Sequence, residues 1–195
     1  MSKELNLICE QVARRCADLE LEGRAIVVGV NGPDGAVNAA VAKGLKTHLA
    51  GAGRDVAAFH LENCADAEVR QRILGALKGG VTPELVQQYG EESIDFALAR
   101  RTLQELAEGG DIVVADGTFL YTGALADIFD LRVYLDVAPD VLAGRMATGA
   151  KAEGLEALAA PGFAHYFAEY GPMTGADLVV DVNDPRKPRV VTAVD

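Results

Sequence analysis

The sequence contains no tryptophan, and aromatic residues make up only 6% of its 195 positions. Hydrophobic residues nevertheless make up 50%, which marks a globular chain rather than a disordered one. Basic residues are also scarce, 18 Lys and Arg against 29 Asp and Glu, leaving a formal net charge of −11. That balance argues against a nucleic-acid or anionic-membrane surface, which needs a basic patch. Cysteine is limited to Cys9, Cys16 and Cys64, an odd number without metal-ligand spacing. A disulfide framework and a zinc site are not expected, and a reducing cytoplasm is. No run of about 18 apolar residues is present, so no membrane span is expected. The opening MSKELNLICEQVARR is charged and helix-patterned, unlike a signal peptide. What remains is the composition of a globular chain, long enough for one α/β domain over residues 1–195 and too short for two.

The hydrophobic pattern supplies the elements. Leu5, Ile8, Cys9, Val12, Cys16 and Leu19 recur at helical spacing, which predicts an N-terminal helix within 1–22 that stops at Gly23. RAIVVGVNG (24–32) is a short β-branched run ending in Asn-Gly and reads as a buried parallel strand. A helix is expected over 36–50, a strand over 55–63, and helices near 66–77 and 91–108. DIVVADG (111–117) is the clearest buried strand, followed by an expected short helix at 122–128 and a strand at 131–137. Pro139 opens another helix, and 176–182 and 189–194 read as a strand and a candidate edge strand. This alternation predicts a three-layer α/β fold: a mostly parallel five-stranded sheet with helices on both faces. The weakly patterned stretch 148–161 is a candidate lid.

Ligands of such sheets sit at the carboxyl ends of the strands. The loop after the first strand is the first place to look. A phosphate-binding loop there reads G-x-x-x-x-G-K-[ST] and leads into a helix. Its glycines let backbone N–H groups form a nest, its lysine neutralises phosphate and its hydroxyl holds Mg²⁺. Here the segment runs Gly32, Pro33, Asp34, Gly35, Ala36, Val37, Asn38, Ala39. The second motif glycine is Val37, the lysine is Asn38 and the hydroxyl residue is Ala39. Val resists the positive φ a nest uses, Asn brings no cation, and Ala cannot hold a metal. The plainer reading of Asn-Gly-Pro-Asp-Gly is turn chemistry between a strand and a helix.

The wider chain resembles the uridine kinase-like P-loop proteins, within the uridine kinase and phosphoribulokinase group, from about Gly23 to Val191. VVGVNGPDGAVNAAVAKGL is similar to that family's strand, phosphate loop and helix; Asp34, Gly35 and Ala36 match D-G-x-D-G-A-G-K-T, while Val37, Asn38 and Ala39 depart. AGRDVAAFHLENC is similar to the second strand, so the resemblance puts Glu62 at the position of the family's catalytic acid, with Cys64 replacing an aromatic residue. Thr82, Pro83, Glu84, Tyr89, Ser93, Asp95 and Phe96 echo its substrate segment. VVADGTFLY is similar to the third strand and puts Asp116 at a carboxylate facing metal and phosphates. The family's lid carries several arginines, of which Arg145 and Lys151 are the cations retained here.

The departures gather on the nucleotide side, and the carboxylates on the substrate side are kept. Glu62 and Asp116 are therefore candidate acid–base residues, although strand-end acids also cap turns. His60 stands two positions before Glu62, which on a strand gives both the same face. His165 and Tyr166, among Phe163, Phe167 and Tyr170, read mainly as core packing. No metal site is expected.

Three functions compete. One is a kinase-like fold that has lost ordinary ATP phosphotransfer and binds or acts on a small molecule through Gly32, Asp34, Gly35, Asn38 and the strand-end residues. Another is an ATP-dependent kinase of a nucleoside or other hydroxyl substrate; only this reading calls for MgATP, and it would need Lys43, Lys46, Arg145 or Lys151 as a surrogate cation. The last is a non-catalytic partner, paired with a second copy or an active relative, with residues 5–19 as docking helix.

Overall fold

A computed structural model describes residues 2–19, 23–148 and 155–193. The chain runs α1 (Lys3–Asp18), β1 (Ile26–Asn31), α2 (Gly35–Gly51), β2 (Val56–His60), α3 (Ala67–Ala76), α4 (Pro83–Glu92), α5 (Phe96–Ala107), β3 (Ile112–Gly117), β4 (Leu131–Asp136), α6 (Pro139–Thr148), α7 (Glu156–Tyr170), β5 (Leu178–Asp181) and β6 (Arg189–Ala193). One sheet orders its strands β2-β3-β1-β4-β5-β6. The first five are mutually parallel and β6 pairs antiparallel with β5. The expected five-stranded sheet is thus a six-stranded one, because 189–193 does join its edge.

Strand parity divides the core. Ile26, Val28 and Val30 of β1 and Ile112 and Val114 of β3 pack with α1 and α2. Val27, Val113 and Ala115 pack instead with Ala99 and Leu103 of α5. The two central strands are buried along their whole length, as parallel strands covered on both faces must be. Ile8, Cys9, Val12 and Cys16 of α1 are spent in this core, so the helix proposed as a docking element covers the sheet of its own chain.

Some elements differ from the sequence-based expectation. Helix α4 over 83–92 is one the sequence pattern does not predict, and the helix expected over 91–108 starts only at Phe96, because Ser93, Ile94 and Asp95 break the chain between them: Ile94 bridges to Ala65, and the Asp95 side chain accepts from Leu98 N–H to start α5. Residues 122–128 form successive turns rather than a helix. The candidate lid 148–161 contains the first turns of α7 from Glu156, and its centre, with Lys151, lies outside the described residues.

Candidate functional site

The loop between β1 and α2 is held by two buried asparagines. Asn31, the last residue of β1, is fully buried. In the amide orientation that satisfies its neighbours, it donates to the carbonyls of Thr118 (2.8 Å) and Gly117 (3.0 Å) and accepts from the Tyr166 hydroxyl (3.1 Å). Tyr166 in turn accepts from Tyr121 N–H at 2.9 Å. Asn38, on the first turn of α2, is also fully buried. Its Nδ2 donates to Gly32 O at 2.8 Å and Gly117 O at 3.2 Å, tying the loop to the end of β3. Among the described residues its Oδ1 has no hydrogen-bond partner. Two glycines permit this packing: a Cβ at Gly32 would lie 2.7 Å from Leu135 O, and one at Gly117 would lie 2.6 Å from Leu61 Cβ.

Asp34 caps α2. Its Oδ1 accepts from Val37 N–H at 3.2 Å, and its Oδ2 meets Arg145 Nη1 at 3.2 Å. A carboxylate of the chain itself thus stands at this helix start, where exposed N–H groups favour an anion. Arg145 also donates to the carbonyls of Val182 (2.7 Å) and Asn183 (2.9 Å), which ties the last turn of α6 to the chain just after β5. Gly35 has room beside it, its nearest hypothetical Cβ contact being Thr118 Oγ1 at 3.8 Å.

The structure joins two of the three strand-end candidates. β2 and β3 are neighbours in register His60↔Asp116. Both residues share the parity of Val114 and so face α2. His60 Nδ1 lies 2.5 Å from Asp116 Oδ1. An ionised carboxylate only accepts, so Nδ1 carries the proton and Nε2 remains for a ligand. Asp116 is buried, and burial pushes its carboxyl above the ordinary value while His60 opposes that shift. The pair opens into a cleft of about 650 Å³ between α2 and β2, lined by Ala39, Ala42, Lys43, Lys46, Thr47 and Ala58 among others.

Glu62 does not share that face. The chain leaves β2 at His60 and enters a 3-10 turn over Leu61–Cys64, so strand parity ends before position 62. The Glu62 carboxylate instead meets Arg70 Nη2 of α3 at 2.8 Å. Arg70 was not identifiable from sequence as its partner, since nothing in the spacing marks the pair. The substrate-segment echoes carry local structure: Thr82 caps α4, Asp95 caps α5, and the Ser93 hydroxyl donates to Tyr89 O. Tyr166 is buried in the aromatic layer with Phe119 and Phe163, and His165 stands 3.6 Å from Glu91. A second, apolar cleft of about 390 Å³ lies between α6 and α7 beside Pro33.

The mostly parallel sheet, whose first strand leads through a glycine-bearing loop into a helix, is the fold this chain shares with solved kinase-like structures. Solved structures bear this out at the level of fold. A "possible uridine kinase" from Bacillus stearothermophilus superposes with a TM-score of 0.64 at 17% identity, covering 90% of this chain and 96% of that one. D-glycerate 3-kinase from Cryptococcus neoformans gives 0.57 at 13% identity, covering 98% and 99%. Shikimate kinase from Bacteroides thetaiotaomicron gives 0.51 at 19% identity, covering 81% and 87%. No protein-family model and no curated protein matches the sequence.

Proposed function

We propose that this chain is a kinase-like P-loop protein that has given up ordinary MgATP phosphotransfer and binds or acts on a small molecule at the His60–Asp116 cleft. The loop after β1 carries the proposal. The residue at the lysine position, Asn38, is fully buried and spends its amide on two backbone carbonyls. The residue at the metal-hydroxyl position is Ala39, and the Val37 N–H that would serve a nest is taken by Asp34. These residues do not fit MgATP. A cation at the transferred phosphate is worth about 10³–10⁵ in rate, so its replacement by a neutral amide removes most of the chemistry.

His60 and Asp116 supply a different capability. Asp116 orients the imidazole, so His60 Nε2 is placed to take a proton from a hydroxyl or a water in the cleft. Glu62 takes no part in this pair, being engaged by Arg70 of α3.

The kinase alternative draws on one observation, Arg145 already beside Asp34 at the loop. A nucleoside or another hydroxyl compound would then be the substrate. Calorimetric titration decides between the readings. MgATP is expected to bind no tighter than about 1 mM, or about 4 kcal/mol. A micromolar constant would overturn the proposal and favour the kinase.

A further inference from the structure

We infer that the cleft between α2 and β2 binds a small organic oxyanion, best matched by a phosphate monoester on an apolar body. The inference rests on the reading of His60–Asp116 as a ligand site and names the class of ligand. Lys43 and Lys46 stand three residues apart on α2 and both line this cleft, so they share one helix face. Among the described residues neither lysine makes an ion pair. His60 lines the same cleft from the β2 side. Among the described residues the one acid lining it is Asp116, which is already engaged with His60. Two unengaged ammonium groups in a chain of net charge −11 are a local exception to its electrostatics.

The remaining wall is small and mostly apolar, with Ala39, Ala42, Ala50, Ala58 and Val114 beside Thr47, whose hydroxyl donates to Lys43 O at 2.8 Å. That lining admits a hydrocarbon or ring portion. Two lysines match the charge of a phosphate dianion better than that of a carboxylate monoanion. His60 lines the same cleft with Nδ1 engaged by Asp116, which leaves Nε2 to meet the remainder of the ligand. The two lysines are separate from the loop after β1, because Lys43 and Lys46 lie one to two turns further along α2 than Asn38.

The test uses the purified chain at about 0.15 M salt, where diffuse charge attraction is screened. Phenyl phosphate, benzoate, inorganic phosphate and phenol are titrated while the His60 imidazole resonances are followed by NMR. The variants are Lys43→Gln with Lys46→Gln, and Lys78→Gln as a remote control. Phenyl phosphate is expected to shift the His60 resonances with a constant of about 1 mM or tighter. The order expected is phenyl phosphate, then benzoate and inorganic phosphate, with phenol silent. The double variant is expected to weaken phenyl phosphate by about tenfold or more, and Lys78→Gln to leave it unchanged. Binding by the folded double variant as tight as by the parent would overturn the inference. So would the absence of any His60 shift with phenyl phosphate. Benzoate binding more tightly than phenyl phosphate would overturn the phosphate assignment. A shift by phenol equal to that by phenyl phosphate would overturn the anion class while supporting the site at His60. Micromolar MgATP binding that the double variant retains, in a separate titration, would overturn the proposed function alone, since Lys43 and Lys46 would then take no part in it.

Discussion

Restoring the three departing loop residues together, Val37→Gly, Asn38→Lys and Ala39→Thr, is the sharpest test of what the loop now does. The structure sets the stability cost. Val37 is 9% exposed and packs in the core between the sheet and α1. Losing its side chain and gaining a helical glycine costs about 2 kcal/mol. Asn38→Lys exchanges two amide hydrogen bonds for an ammonium in a fully buried position, which costs about 1–3 kcal/mol until an anion arrives. The sum of about 3–5 kcal/mol lowers Tm by roughly 10 °C for a chain of this size. The parent, with a constant no tighter than about 1 mM, gains at most about 1 kcal/mol from about 5 mM MgATP, or about 3 °C. If the triple variant reaches about 0.1 mM affinity, the same nucleotide returns about 2 kcal/mol, or about 6 °C. Thermal melts of parent, single variants and triple variant, with and without MgATP, read both effects. The singles should show no more than the parent's ligand shift, because a lysine without a nest has no phosphate to meet. A folded triple variant with only the parent's shift would refute the reasoning: the backbone path would then not be that of a phosphate loop.

Other outcomes follow from single contacts. Asp34→Ala should cost about 1–2 kcal/mol, or about 2–8 °C in Tm, while Asp34→Asn keeps the cap to Val37 N–H and should cost less than half of that; equal losses would deny the cap. Asp116→Asn removes the desolvation of a buried carboxylate and should raise Tm or leave it unchanged, while disorienting His60; a fall of more than about 2 kcal/mol would make Asp116 a structural acid instead. Burial pushes the Cys9 and Cys16 thiols from 9.0 up to about 11. The unfolded thiols therefore ionise first as pH rises. Their contribution, on the order of 2 kcal/mol each, is fully present below about pH 9 and lost between about pH 9 and pH 11. Denaturant midpoints measured from pH 7 to pH 11 should be flat and then fall, and Cys16→Ser should shrink the fall; no change above pH 9 would contradict the burial of these thiols.

Much of the architecture is local and could be read directly. Apolar period in α1, continuous β-branched runs in β1 and β3, Pro139 at the start of α6 and the Asn-Gly turn after β1 all act within a few residues of chain. Short-range backbone preference and side-chain alternation are enough to specify them. The place of the loop between β1 and α2 was legible for the same reason, since strand, turn and helix signals follow one another directly in the chain. What the chain could not reveal by itself is which strand ends meet. His60 and Asp116 are 56 positions apart and are joined only because β2 and β3 pair in that register. Glu62 shares strand parity with His60 on paper, yet the 3-10 turn at Leu61–Cys64 ends the period of two and hands it to Arg70. Asn38 reads in sequence as an absent cation. Only packing makes it a buried clamp on Gly32 and Gly117, because a carbonyl left without water must find a donor wherever the fold supplies one.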